Sequence, residues 1–152
     1  MMDTVRALDM FCGAGGSSVG AAAAGVKIVS GIDACPIATE TYKANFPRAE
    51  VIQNRLECID LADLRHRVGR VDLVLASPEC RNHTCARGGA PLDEASRETA
   101  LLTIEYARAF EPRWLVLENV MGTTYKSNHA QTTENSLAVA VFFLHPGTCQ
   151  RL

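Results

Sequence analysis

The sequence predicts an α/β domain, a doubly wound and mostly parallel sheet with helices on both faces. Three observations point there. Strand-like and helix-like segments alternate along residues 5–120. The strand runs are close to continuously apolar, as strands buried on both faces are, rather than alternating apolar with polar. A glycine-rich turn follows the first strand at once and opens into a helix, with an acid, Asp33, closing the second strand.

Taken in order, "VRALDMF" (5–11) is the first strand and "CGAGGSS" the turn after it. "SVGAAAAG" (18–25) has high helix propensity and a glycine stop at Gly25. "KIVSGID" (27–33) is the second strand, and "CPIATETYKANF" (35–46) a helix with Pro36 near its first turn, where a missing N–H costs least. Val51-Ile52 marks a short third strand, and "RVDLVLAS" (70–77) is the fourth. The loop "ARGGAP" leads to Ser96 as N-cap of "RETALLTIEYARAF", where Leu102, Tyr106 and Phe110 form one apolar face. "RWLVLENV" (113–120) is the fifth strand. After Gly122 the character changes. A polar stretch precedes "LAVAVFFLH" (137–145), which reads as a sixth strand or as an unpaired hydrophobic segment. The organisation is thus one α/β domain over 1–122, incomplete at its C-terminal side, and an atypical tail over 123–152.

A chain of 152 residues fits one hydrophobic core, and 47% apolar with 21% charged residues is ordinary for a soluble globular protein. No apolar stretch approaches the ~20 residues that span a bilayer, so no membrane association is expected. "MMDTVRALDMF" lacks the charged-then-apolar pattern of a secretory leader. The six cysteines are scattered with no CxxC pair, which favours a reduced, cytoplasmic chain. Cys80 and Cys85 with His83 between them lack the further ligands that tetrahedral zinc needs, so no metal is expected. The net charge of −2 and the absence of a basic run mean that any grip on nucleic acid must come largely from elsewhere.

Gly13, Gly15 and Gly16 let backbone approach a ligand closely at a helix N-terminus, and Asp33 lies where an acid accepts hydrogen bonds from ribose hydroxyls. The dinucleotide fingerprint has a third glycine where this chain has Ser18. That weakens a pyrophosphate reading and leaves a nucleoside ligand comfortable. A tight turn with a capping Asp explains the same residues, so the loop alone decides nothing.

In open α/β sheets, ligands bind beyond the carboxyl ends of the strands. The fourth strand runs into "SPEC" and the fifth ends at "EN", which brings Cys80 and Glu118 toward the glycine turn. A thiolate adds to an electron-poor carbon, and a nearby carboxylic acid protonates the ring nitrogen that receives the charge. Taken singly, each residue has a bland reading: a buried small hydrophobe for the cysteine, a strand-end hydrogen-bonding pair for Glu118 and Asn119. Together on one sheet edge they favour chemistry.

"LDMFCGAGGSS", "LASPECRNHTC" and "LVLENVMG" resemble, in this order and spacing, the first motif, the Pro-Cys nucleophile loop and the Glu-Asn-Val motif of DNA (cytosine-5) methyltransferases. The resemblance covers residues 5–122. It implies the Rossmann-like fold of S-adenosylmethionine-dependent methyltransferases, with Phe11, Gly13, Gly15, Gly16 and Pro78 around that cofactor and Asp33 on its ribose. It also implies Cys80 as the nucleophile at C6 of an extruded cytosine, Glu118 at N3, and Asn119 supporting the loop that carries Cys80. DNA is then the partner, and the protein is nucleoid-associated when acting on it.

The chain departs from this pattern in three places. Glu79 and Arg81 flank Cys80 where the commonest version has proline and glutamine. Arg55 stands at the apparent position of an acid beside the adenine, with Asp60 further along. No Gln-x-Arg-x-Arg segment and no target-recognition region is found. The sequence therefore resembles the catalytic-motif portion of such an enzyme, a fragment or one subunit beside a companion polypeptide that carries the recognition region. The alternatives are an inactive remnant or binding module and an RNA cytosine-5 methyltransferase. A nicotinamide dehydrogenase is disfavoured by Ser18 and by the pairing of Cys80 with Glu118.

Overall fold

The computed structural model describes residues 3–78, 95–119 and 138–143. Along the chain these form β1 (Arg6–Met10), α1 (Gly16–Ala23), β2 (Lys27–Asp33), α2 (Pro36–Asn45), β3 (Glu50–Gln53), a 3-10 turn (Leu56–Cys58), α3 (Leu61–Val68), β4 (Leu73–Ala76), α4 (Ala95–Phe110), β5 (Trp114–Asn119) and β6 (Ala138–Phe143). The six strands make one sheet in the order β3-β2-β1-β4-β5-β6. Neighbours from β3 to β5 pair in parallel, and β6 runs antiparallel to β5. Apart from that reversal of the last strand, this is the strand order of Rossmann-type sheets, and the predicted doubly wound, mostly parallel α/β class holds.

The sheet is apolar on both faces because each face is covered. On one side Leu8, Met10, Ile32 and Val74 pack with Leu64 and Val68 of α3 and with Tyr106 and Phe110 of α4. On the other, Ala7 and Ile28 pack with Tyr42 of α2, and Ala21 of α1 lies against them. The Tyr106 hydroxyl donates to the Leu56 carbonyl at 3.0 Å, tying α4 to the 3-10 turn. The Leu102–Tyr106–Phe110 face read from the sequence is the face α4 buries: Tyr106 and Phe110 are core residues and Leu102 packs against them.

Most elements fall within two or three residues of their sequence positions, with two differences. The short third strand pairs with β2 over Ser30–Asp33 as expected. An eight-residue helix, α3, follows it where no helix was expected. Its signals are an N-cap, Asp60, and apolar residues at Leu61, Leu64 and Val68, a helical spacing. Finally, α4 starts at Ala95, so Ser96 lies inside its first turn rather than capping it. The helix α1 ends as predicted: Gly25, at φ +87°, occupies the left-handed position just past it.

The apolar run 137–145 contains β6, paired with β5 from Trp114↔Phe143 to Asn119↔Ala138. No helix among the described residues is long and apolar enough to cross a membrane.

Candidate active site

Register fixes the geometry of the ligand edge. Ile52, Ile32, Met10, Ala76 and Leu117 stand side by side across β3, β2, β1, β4 and β5. One residue further along each strand comes the row Gln53, Asp33, Phe11, Ser77, Glu118. Four residues of that row come from four adjacent strands, β2, β1, β4 and β5. At about 4.8 Å per strand, Asp33 and Glu118 lie roughly 14 Å apart across the sheet. Asn119 follows Glu118 at the end of β5, and Pro78, buried, follows Ser77. Cys80 lies outside the described residues, as do Glu79, Arg81, His83 and Cys85.

The turn after β1 is held from several sides. Phe11 has φ +54°, a left-handed conformation uncommon for a bulky residue and usually kept where surrounding structure enforces it. The Gly13 amide donates to Asp33 Oδ2 at 2.9 Å, while Asp33 Oδ1 accepts from the Cys35 amide at 2.8 Å. Asn45 Nδ2 donates to the Ala14 carbonyl at 3.0 Å. Gly15, at φ +102°, lies under two rings: a Cβ there would come within 2.9 Å of Phe46 and 3.1 Å of Tyr42. Tyr42, Asn45 and Phe46 recur at i, i+3 and i+4, so one face of α2 grips the turn. Sequence reasoning missed this clamp, because the spacing marks one face of a helix without showing what that face meets.

It also underread Ser18. That residue is fully buried in α1; its hydroxyl donates to Asp9 Oδ2 at 2.6 Å and contacts the Tyr42 hydroxyl at 2.7 Å. Where the dinucleotide fingerprint has glycine, this chain anchors the helix to the strand with a hydrogen bond. Burial pushes the Asp9 carboxyl up to about 7, with the Asp33 charge adding to the effect against the Ser18 hydrogen bonds. Burial, then Asp9 and Asp33, pushes the Cys12 thiol up as well, so Cys12 is a packed thiol and no nucleophile.

A cavity of about 640 Å³ opens beyond β1, β2 and β3, lined by Phe11, Asp33, Ala34, Asn54, Arg55, Leu56, Glu57 and Ser77. That volume lies in the range of small-molecule sites. Phe11 and Leu56 give it apolar walls, and Asp33 gives it a carboxylate that keeps a free lone pair on each oxygen after its two amide bonds. Gly13, Gly15 and Gly16 border this edge without lining the cavity itself. Arg55 reaches the lip, paired with Glu57 at 2.5 Å. Backbone hydrogen bonding and then Arg55 hold the Glu57 carboxyl below its usual range. Asp60, the other acid in this stretch, is absent from the lining; it accepts from the Ala62 and Asp63 amides and caps α3. The donor set and the apolar walls fit a nucleoside-bearing cofactor.

The family model of C-5 cytosine-specific DNA methylases matches residues 5–142 of this chain. The type II methyltransferase M.DdeI of Desulfomicrobium norvegicum is 29% identical over 115 residues, which cover 76% of this chain and 28% of that protein. The human tRNA (cytosine(38)-C(5))-methyltransferase is 26% identical over 141 residues, covering 88% of this chain and 36% of that enzyme. Among solved structures, a putative DNA modification methyltransferase encoded within an E. coli prophage superposes with a TM-score of 0.69 at 21% identity, over 81% of this chain and 34% of that one. The chain thus spans about a third of the length of these proteins.

Proposed function

The chain belongs to the C-5 cytosine-specific DNA methylase family, a family of S-adenosylmethionine-dependent methyltransferases, and from that premise we propose that it is the cofactor-binding and catalytic portion of a DNA (cytosine-5) methyltransferase. The observation that carries this reading is the row Asp33, Phe11, Ser77, Glu118 along adjacent strands, next to the cavity. In this reading Asp33 at one end of the row is the ribose acceptor and Glu118 at the other is the carboxyl group for the base.

S-adenosylmethionine supplies a methyl group activated by its sulfonium charge. Asp33 would accept from the ribose hydroxyls through its remaining lone pairs, Phe11 and Leu56 would flank the nucleoside, and Gly13, Gly15 and Gly16 would let the turn come close without side chains. Pro78 stiffens the approach to Cys80. The Cys80 thiolate adds to C6 of an extruded cytosine, and the electron pair displaced from the C5–C6 double bond is drawn toward N3, which Glu118 protonates or hydrogen-bonds. That leaves C5 electron-rich. After C5 is substituted, its proton passes to water, the electron pair left behind restores the C5–C6 double bond and expels Cys80 as thiolate, and Glu118 takes back the N3 proton, leaving 5-methylcytosine. Asn119 supports the Cys80 loop. With a net charge of −2, these residues leave most of the phosphate contact to a target-recognition region, carried either by the remainder of a longer protein or by a companion polypeptide.

Covalent trapping tests this. The chain, alone and mixed with the product of the adjacent gene, is incubated with S-adenosylmethionine and an oligonucleotide carrying 5-fluorocytosine, which blocks the final proton loss. Wild type gives a denaturation-resistant adduct, Cys80→Ala gives none, and Glu118→Gln forms it about 100-fold more slowly or worse. The likeness to a tRNA methyltransferase makes an RNA oligonucleotide the necessary second arm. Adduct on RNA alone reassigns the substrate. No adduct on either, with wild type matching Cys80→Ala, leaves a non-catalytic remnant.

A further inference from the structure

Asp9, Ser18 and Tyr42 come from β1, α1 and α2 and meet in a line beneath the glycine turn. All three are fully or almost fully buried. The line has a direction, because Ser18 has one hydroxyl proton. With Asp9 ionised, Ser18 donates to Asp9 and Tyr42 donates to Ser18. With Asp9 protonated at Oδ2, that proton goes to Ser18, Ser18 donates to Tyr42, and the Tyr42 proton is left without an acceptor among the described residues. Asp9 Oδ1 is buried with no hydrogen-bond partner in either state. Protonation therefore reverses the line and leaves the Tyr42 hydroxyl proton as the additional unpaired group.

The Tyr42 ring packs against Gly31, the register neighbour of Asp9 on β2, so closely that a Cβ there would meet it at 2.4 Å, and it also packs against Gly15 of the turn. Any shift of the Tyr42 hydroxyl is therefore felt at Gly15. Around Asp9 stand Ser18 from α1, Tyr42 from α2, Cys12 beyond β1 and Asp33 at the end of β2. Its register neighbours Gly31 and Leu75 carry no charge.

We propose that Asp9, Ser18 and Tyr42 form a positioning relay that sets the shape of the Gly13–Gly16 turn, and through it cofactor affinity, according to whether Asp9 carries a proton. The relay rests on the cofactor reading above. Ionised Asp9 orients the line from Tyr42 inward and holds the ring against Gly15. Affinity therefore rises with pH through neutrality.

The test is calorimetric titration of the full chain with S-adenosylmethionine between pH 5.5 and 8.5, for wild type, Tyr42→Phe and Asp9→Asn. Tyr42→Phe keeps the ring and removes only the oxygen. In parallel, amide exchange at residues 13–16, corrected for intrinsic rates, is followed over the same range. Wild type gains affinity at least about fivefold across the step, with slower exchange in the turn at high pH. Both variants lose the step while staying folded. A step that persists in Tyr42→Phe, or a flat wild-type profile, overturns the relay. Absence of binding by wild type at every pH overturns the cofactor reading instead; the exchange data then decide the relay alone, a pH step in wild type but not Tyr42→Phe supporting it and identical profiles ending it.

Discussion

Asp9 is the costliest residue in the site to keep charged. It is 1% exposed, and its carboxyl titrates near 7 against 3.8 as the ordinary value, chiefly because burial disfavours the anion. Below pH 4 the group is protonated in both folded and unfolded chains and contributes nothing to the pH dependence. Between about 4 and 7 the unfolded chain has lost the proton and the folded one retains it, so stability falls as pH rises. Above 7 both are ionised and the penalty stays constant, at roughly 4 kcal/mol. Urea unfolding of wild type and Asp9→Asn from pH 4.5 to 8 measures this: the wild-type curve declines relative to the variant and levels off above pH 7. Parallel curves would mean that Asp9 is solvated in the fold. The same residue is ionised where the protein is less stable and where cofactor affinity is expected to be higher, so stability and binding trade against each other at one carboxyl. From sequence, Asp9 reads only as one polar residue in an apolar strand. Its partners are 9 and 33 positions away, and neither spacing is a local signal.

At the scale of elements, what was legible had local causes. Apolar runs gave the five parallel strands, Gly25 gave the end of α1, and Pro36 gave the start of α2, where it occupies the first helical turn. The helix α3 carries the same kind of signal, but Asp60 also follows the apparent position of an acid beside the adenine, and a cap and a ligand are the same residue type in sequence. The two roles make different predictions. As a cap, Asp60 serves two amides at 2.9 and 3.1 Å, and Asp60→Ala lowers unfolding free energy by about 1 kcal/mol. It leaves S-adenosylmethionine affinity unchanged within about twofold, because Asp60 does not line the cavity. A tenfold loss of affinity with unchanged stability would restore the ligand role. The α2 clamp was illegible for another reason. Tyr42, Asn45 and Phe46 look like any amphipathic face until the turn they grip is brought over them, and that meeting depends on the packing of α2 against β2 and β3.

The whole sheet follows from handedness and covering. Parallel strands joined by helices cross over right-handed, and two such halves meeting at β1 and β4 make the order β3-β2-β1-β4-β5, so Asp33 and Glu118 could be assigned to one edge before any coordinates. The direction of β6 had no such warrant, because the run 137–145 is equally apolar in either orientation. Its antiparallel pairing with β5 has a consequence for the molecule. Without β6, the backbone of Trp114–Asn119 would present an open ladder along an apolar strand, a template for another chain's edge. Water would satisfy the freed amides, so the loss appears less in hydrogen-bond energy than in association. Because β6 is itself the outer strand of the described sheet, a chain ending at residue 136 exchanges one open edge for another but loses the β5–β6 ladder. It should unfold at a lower urea midpoint and form more higher oligomers than the full chain at the same micromolar concentration. Light scattering across a dilution series reads this directly. Asp33 lies three strands from β5, so the truncated chain that stays in solution still binds S-adenosylmethionine within about threefold of the full chain. A truncated chain that scatters like the full one, with the same urea midpoint, would show that β5 tolerates its open edge and that β6 is dispensable to the sheet.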